Sequence, residues 1–251
     1  MSDRVGGFDR RALTIGLPSQ YGGEMVLGVT ATQLATPGTT PAQRRRILAE
    51  WIEFLSSAET NIRELQFHSR VPQELLDAVA GQPQLEALLV KWGPYRNVDA
   101  VGSLRKLTTL RLGGATALET LAPLRALPDL VTLAVSQGHK VSDVDALSEF
   151  TGLTRLMFGN DHPGDDRNLV LADFEWARPL RELRSLAIPG TRLLNPDLSP
   201  LLDLPHLEDL LLPLRRDLRA QVFTFAGTSE AFAGVAREYE AYESWRTARR
   251  T

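Results

Sequence analysis

A six-residue pattern, apolar-x-x-apolar-x-apolar, recurs seven times along this chain and leaves few folds open to it. It begins at Ile62 ("IRELQF"), Leu85 ("LEALLV"), Leu107 ("LTTLRL"), Leu130 ("LVTLAV"), Leu153 ("LTRLMF"), Leu183 ("LRSLAI") and Leu207 ("LEDLLL"). Successive starts are 23, 22, 23, 23, 30 and 24 residues apart. One such motif occurs by chance in any leucine-rich helix. Seven in near-constant register mean a stack of similar coils, each too small to bury its own apolar face.

The spacing inside a rung gives its local structure. In "LTTLRL" the period is neither that of a helix nor a clean alternation. Its last three positions form a short strand, so Leu110 and Leu112 point into the coil and Leu107 turns the chain inward. Thr109, Arg111 and Gly113 lie on the opposite face. Stacked rungs therefore build a parallel sheet. Between rungs, apolar residues return at steps of three: Leu118, Leu121, Leu124 and Leu127, then Val141, Val144, Leu147 and Phe150. That step suits 3-10 or irregular turns on the convex side. "PQELLDAVAGQPQL" reads as more helical.

The predicted architecture is an α/β solenoid with a parallel concave sheet, in three parts. Residues 1–60 form an N-terminal cap, in which "ALTIGLP" and "EMVLGVT" read as a hairpin around "SQYGG". "TPAQRRRILAEWIEFLSS" follows as a helix with Thr40 as N-cap, Pro41 at the first turn and Gln43 closing a capping box. Residues 61–215 carry the seven rungs. Residues 216–251 form a C-terminal cap, a strand in "AQVFTFAG" and then a helix with Phe232, Val235, Tyr239 and Tyr242 on one side.

At "APLRALPDLVTLAV", "VSDVDALSEFTGLTRLMF" and the cap stretch "VPQELLDAVAGQPQLEALLVKWG", the chain resembles bacterial leucine-rich repeat proteins of the short-repeat, internalin-like type. The resemblance covers roughly residues 50 to 215. It implies a binding scaffold with no defined activity. The asparagine that such repeats often carry three residues after the last strand leucine is missing, which implies a less regular stack. Arg70, Ala115, Gly138, Asp161, Thr191 and Arg215 stand in those places.

Composition narrows the function classes. With no cysteine, a disulfide framework, a thiolate zinc site and a cysteine nucleophile are excluded. A net charge of −3 gives no global basic footprint, so nucleic acid is not the expected partner. No stretch approaches a membrane span, and the N-terminal residues lack a signal-peptide apolar run. The expected setting is cytoplasmic. No GxSxG, GxGxxG, GxxxxGK or HExxH motif occurs, so neither an enzyme nor a cofactor is expected.

The expected function is therefore binding of a protein or peptide on the concave face; the sequence leaves the oligomeric state open, with a monomer favoured over an assembly. The residues assigned to that role are His68, Leu89, Lys91, Trp92, Tyr95, Arg111, Arg155 and Met157. Tryptophan, tyrosine and arginine dominate interface energetics, and exposed Leu89 and Met157 sit where a solvated sheet would carry charge. Two other readings are an enzyme or accessory subunit using the 159–168 insertion, with Asp161, His162, Asp165 and Asp166 as candidate ligands, and a self-associating structural protein.

Overall fold

A computed structural model describes residues 12–32, 39–57, 60–161 and 167–249. The strands are β1 (Leu13–Ile15), β2 (Val26–Val29), β3 (Glu64–Arg70), β4 (Ala87–Trp92), β5 (Thr109–Leu112) and β6 (Thr132–Ser136). They continue as β7 (Arg155–Gly159), β8 (Leu169–Leu171), β9 (Ser185–Ala187), β10 (Thr191–Leu193) and β11 (Asp209–Leu211). The helices are α1 (Pro41–Ser56), α2 (Gln73–Asp77), α3 (Asp99–Gly102), α4 (Arg216–Phe225) and α5 (Glu230–Ala248).

Among the described residues, nine strands form one sheet, in the order β1-β2-β3-β4-β5-β6-β7-β9-β11, and every pairing in it is parallel. The chain is a leucine-rich-repeat solenoid. The leucine pattern sets the register. Leu13, Leu27, Leu65, Leu88, Leu110, Leu133, Leu156, Leu186 and Leu210 lie side by side, one per strand. From Leu27 to Leu210 the row is buried. Two residues on, Ile15, Val29, Phe67, Val90, Leu112, Val135 and Phe158 form a second inner row. Each inner side chain thus packs on its equivalents above and below, as a stack of identical coils requires.

The convex turns are short, as the steps of three predict. Ala122–Ala126, Val144–Glu149 and Ser199–Asp203 are 3-10 helices, and α2 runs straight into a 3-10 turn at Ala78–Gly81. Without an asparagine ladder, the coils are tied by a different side chain at each level. The Gln73 side-chain oxygen accepts from Arg96 N at 2.8 Å. Asp143 accepts from Leu121 N at 3.0 Å and Thr120 Oγ1 at 2.8 Å. Gln221 accepts from Leu198 N at 2.9 Å.

Both ends depart from expectation. The N-terminal strand pair is present but parallel, so it is not a hairpin. Residues 16–25 wrap round as a coil does, through a 3-10 turn at Pro18–Gln20, and β2 pairs on into β3, so the sheet gains two strands beyond the seven rungs. The capping box at Thr40 and Gln43 is formed, and α1 lays buried Trp51 and Leu55 over the convex side. Trp51 Nε1 donates to Gly16 O at 2.9 Å, which ties the helix to the first coil.

The C-terminal segment expected as a strand is helical. Leu218, Val222 and Phe225 recur at helical spacing and pack inward as α4. α5 follows and covers β11 with Phe232, Val235 and Tyr239, all buried, whereas Tyr242 is exposed. The long interval before β9 contributes β8, which pairs with β10 in a separate two-stranded parallel sheet.

Candidate functional site

The outer face of the large sheet is where the sequence places the binding residues, and the structure separates them into two groups. Leu89 and Met157 point to this face but are 2% and 5% exposed, so neither offers the open apolar surface expected of it. The cause is crowding between neighbouring strands about 4.8 Å apart. Leu89 lies in register between Gln66 and Arg111, whose longer side chains flank it. Met157 packs between Ala134 and Ala187, with Leu211 beside them, as a small second cluster.

Tyr95 is also corrected. It is fully buried behind the exit of β4, and its hydroxyl donates to Gly113 O of the next coil at 2.8 Å. Burial pushes the phenol pKa far above its ordinary value. Tyr95 fastens coils together and does not reach a partner.

Lys91, Trp92, Arg111 and Arg155 remain on the accessible face. Three of them meet in a cleft of about 630 Å³ at the C-terminal ends of β4 to β7, lined by Lys91, Trp92, Arg111, Ser136, Gln137 and Asp161 together with nearby backbone. The "GG" after β5 makes its floor. A Cβ at Gly113 would lie 2.2 Å from Lys91 O, and one at Gly114 would lie 2.6 Å from Trp92 Cβ. Gly114 also has φ +51°, a left-handed conformation. Glycine here lets β5's exit pass close beneath Trp92, whose side chain stays 37% exposed at the rim.

Arg111 crosses the cleft. In the outer row it is followed by Ala134 and then Met157. The small side chain of Ala134 leaves room for the guanidinium to pass over β6 to Asp161, at 3.5 Å. Asp161 accepts a second hydrogen bond from Ser136 Oγ, so its carboxylate is held from two sides. Both partners are largely shielded, with side-chain exposures of 23% and 28%.

Sequence reasoning missed Asp161 as Arg111's partner, because the contact spans two coils, and it missed Gln137. Gln137 is a buried non-glycine residue at φ 60°. Its amide donates to Gly159 O at 2.8 Å, and its carbonyl accepts from His139 N at 2.8 Å. Such conformations are held only where the surroundings over-determine them, and they cluster at functional sites. No sequence signal marks it, since glycine stands at the equivalent exits, Gly114 and Gly190.

His68 lies a strand away, over Gly28, and is half-buried. Burial first, and then the Lys91 charge, hold its pKa below the ordinary value. Both causes favour the neutral imidazole. Of the four insertion residues, Asp161 is engaged as above, and His162, Asp165 and Asp166 lie outside the described residues. No group of three His, Asp or Glu is placed to hold a metal among the described residues. No helix among them is long and apolar enough to cross a membrane.

No family model and no curated protein sequence matches the chain. Solved structures resemble it at modest scores. Internalin C2 from Listeria monocytogenes is 22% identical over 64% of this chain and 63% of its own, with a TM-score of 0.48. A second internalin from that organism, inlF, is 20% identical over 64% of this chain and 51% of its own, with a TM-score of 0.45. The plant peptide hormone receptor RGFR1, solved in complex with RGF2, is 15% identical over 66% of this chain and 26% of its own, with a TM-score of 0.48. The chain therefore spans less than two thirds of each. The fold assignment rests on this chain's own strand register.

Proposed function

We propose that the chain is a non-enzymatic binding module that grips a protein or peptide on the concave face, at the cleft between the exits of β4 and β7. One observation carries this reading: a fixed Arg111–Asp161 pair beside an exposed Trp92, in a cleft of about 630 Å³. Binding sites combine a few positioned polar groups with an aromatic surface, and Trp and Arg supply most interface energy. Lys91 and Arg155 extend the site along the sheet. Tyr95 ties the coils together behind it, and Leu89 and Met157 pack in the same outer row as Arg111.

The test is a photo-crosslinking residue placed at Thr109, on the concave face, or at Asp145, on the convex face. The full chain is then exposed to lysate of its native host. The reading expects adducts from the Thr109 protein and none from the Asp145 protein. Adducts from Asp145 alone would overturn it.

A further inference from the structure

The chain carries a net charge of −3, yet the middle of its concave face is cationic. The outward positions of β4 to β7 hold Lys91, Arg111 and Arg155 and no carboxylate. Among the described residues, the outward acidic side chains of the sheet lie on other strands and are engaged. Glu64 on β3 accepts from Gln66 Nε2 at 2.5 Å, and Asp209 on β11 accepts from Ser185 Oγ at 3.1 Å. Among the described residues, Asp161 is the one carboxylate lining the cleft, and Arg111 and Ser136 occupy it. Lys91 and Arg155 are exposed and form no ion pair with a described residue. His68 lies beside Lys91, and burial and that charge lower its pKa.

A local cationic field on a net-acidic molecule selects and steers an acidic partner and repels a basic one. Its dimensions suit an extended chain. Arg155 on β7 is in register with Ala87, so it lies three strand spacings across and four residues along from Lys91 on β4, a diagonal of about 20 Å, which is the reach of about six extended residues. Trp92 adds an aromatic surface at one end, with a cleft beneath it deep enough for a side chain.

We propose that this face takes an extended acidic segment of a partner protein. Its carboxylates meet Lys91 and Arg155 on either side of the Arg111–Asp161 pair, and an aromatic or branched apolar side chain seats against Trp92. The proposal rests on the concave-face reading above and names the chemistry of its occupant.

The test titrates the full chain into a short fluorescein-labelled peptide of Glu and Asp with one central Phe, followed by anisotropy at low and at physiological salt. Controls are the same peptide with Lys in place of the acids, the acidic peptide with Ala for Phe, and a labelled single-stranded oligonucleotide. The acidic Phe peptide should bind, weaken as salt rises, and lose about tenfold or more in affinity to the Lys91→Glu, Arg155→Glu double variant. The milder Lys91→Gln, Arg155→Gln pair should fall between, with an unchanged melting temperature showing that the fold is intact. Trp92→Ala should weaken the Phe peptide and leave its Ala version unaffected.

Equal binding of the Lys peptide, or binding unchanged by both double variants, would overturn the proposal. So would an oligonucleotide bound as tightly as the acidic peptide, which would make the face a general polyanion surface. If no acidic peptide binds while Thr109 still crosslinks a partner, this proposal fails and the concave-face reading stands.

Discussion

Tyr95 and Trp92 are three residues apart, one just past the end of β4 and the other its last residue, and end in opposite environments. Nothing in "KWGPY" tells them apart, because aromatic residues serve cores and interfaces equally well. The difference lies in a contact with the next coil, the Tyr95 hydroxyl on Gly113 O. Tyr95→Phe removes that bond and leaves a carbonyl unmet, so it should cost about 1 kcal/mol, measured by urea denaturation. Leu89 and Met157 were misjudged for a related reason. Alternation gives the face a side chain points to, while the neighbours that cover it sit 22 to 30 residues away in sequence.

His68 carries a prediction of a different kind. Its folded pKa lies below the unfolded value of 6.5, so the unfolded chain takes up the proton more readily. The stability it contributes is complete above about pH 6.5 and is lost as pH falls below that value. The melting temperature should drop between about pH 7.5 and pH 5.5. His68→Gln should flatten that part of the profile. An unchanged slope would place the sensitivity elsewhere.

At the scale of elements, the rungs were legible and the ends were not. Each rung repeats one pattern, so seven copies average out local ambiguity. A cap has one copy. "VFTF" alternates over four residues and suits a strand, and only the wider window of Leu218, Val222 and Phe225 reveals α4. Likewise "SQYGG" has turn composition, but it closes a coil and not a hairpin. The C-terminal cap shields the last coil through Phe232, which is fully buried. Phe232→Ala should cost about 3–5 kcal/mol. Hydrogen exchange should show the loss first at β11 and β9, with β3 to β5 still protected, because coils contact only their neighbours.

For the molecule as a whole, the leucine row is the main structural fact, and it was the most legible one. It also makes energetics local. Leu110→Ala should lower stability by about 2–5 kcal/mol. Leu27→Ala and Leu210→Ala, at opposite ends of the row, should add to within about 0.5 kcal/mol in the double variant. Leu110→Ala and Leu133→Ala touch in register, and their double variant should depart from additivity by about 0.5 kcal/mol or more. Denaturant titration of the four singles and two doubles settles both.

That row has a consequence for how recognition by such a chain can change. Each coil presents the same two faces to its neighbours, so coil number works as a ruler. Duplicating or excising one unit of about 23 residues between β5 and β7 moves Arg155 relative to Lys91 by one strand spacing, about 4.8 Å. The leucines on either side of the junction would still meet leucines. The length of segment spanned can therefore be reset in whole steps by recombination, with the end contacts chemically unaltered.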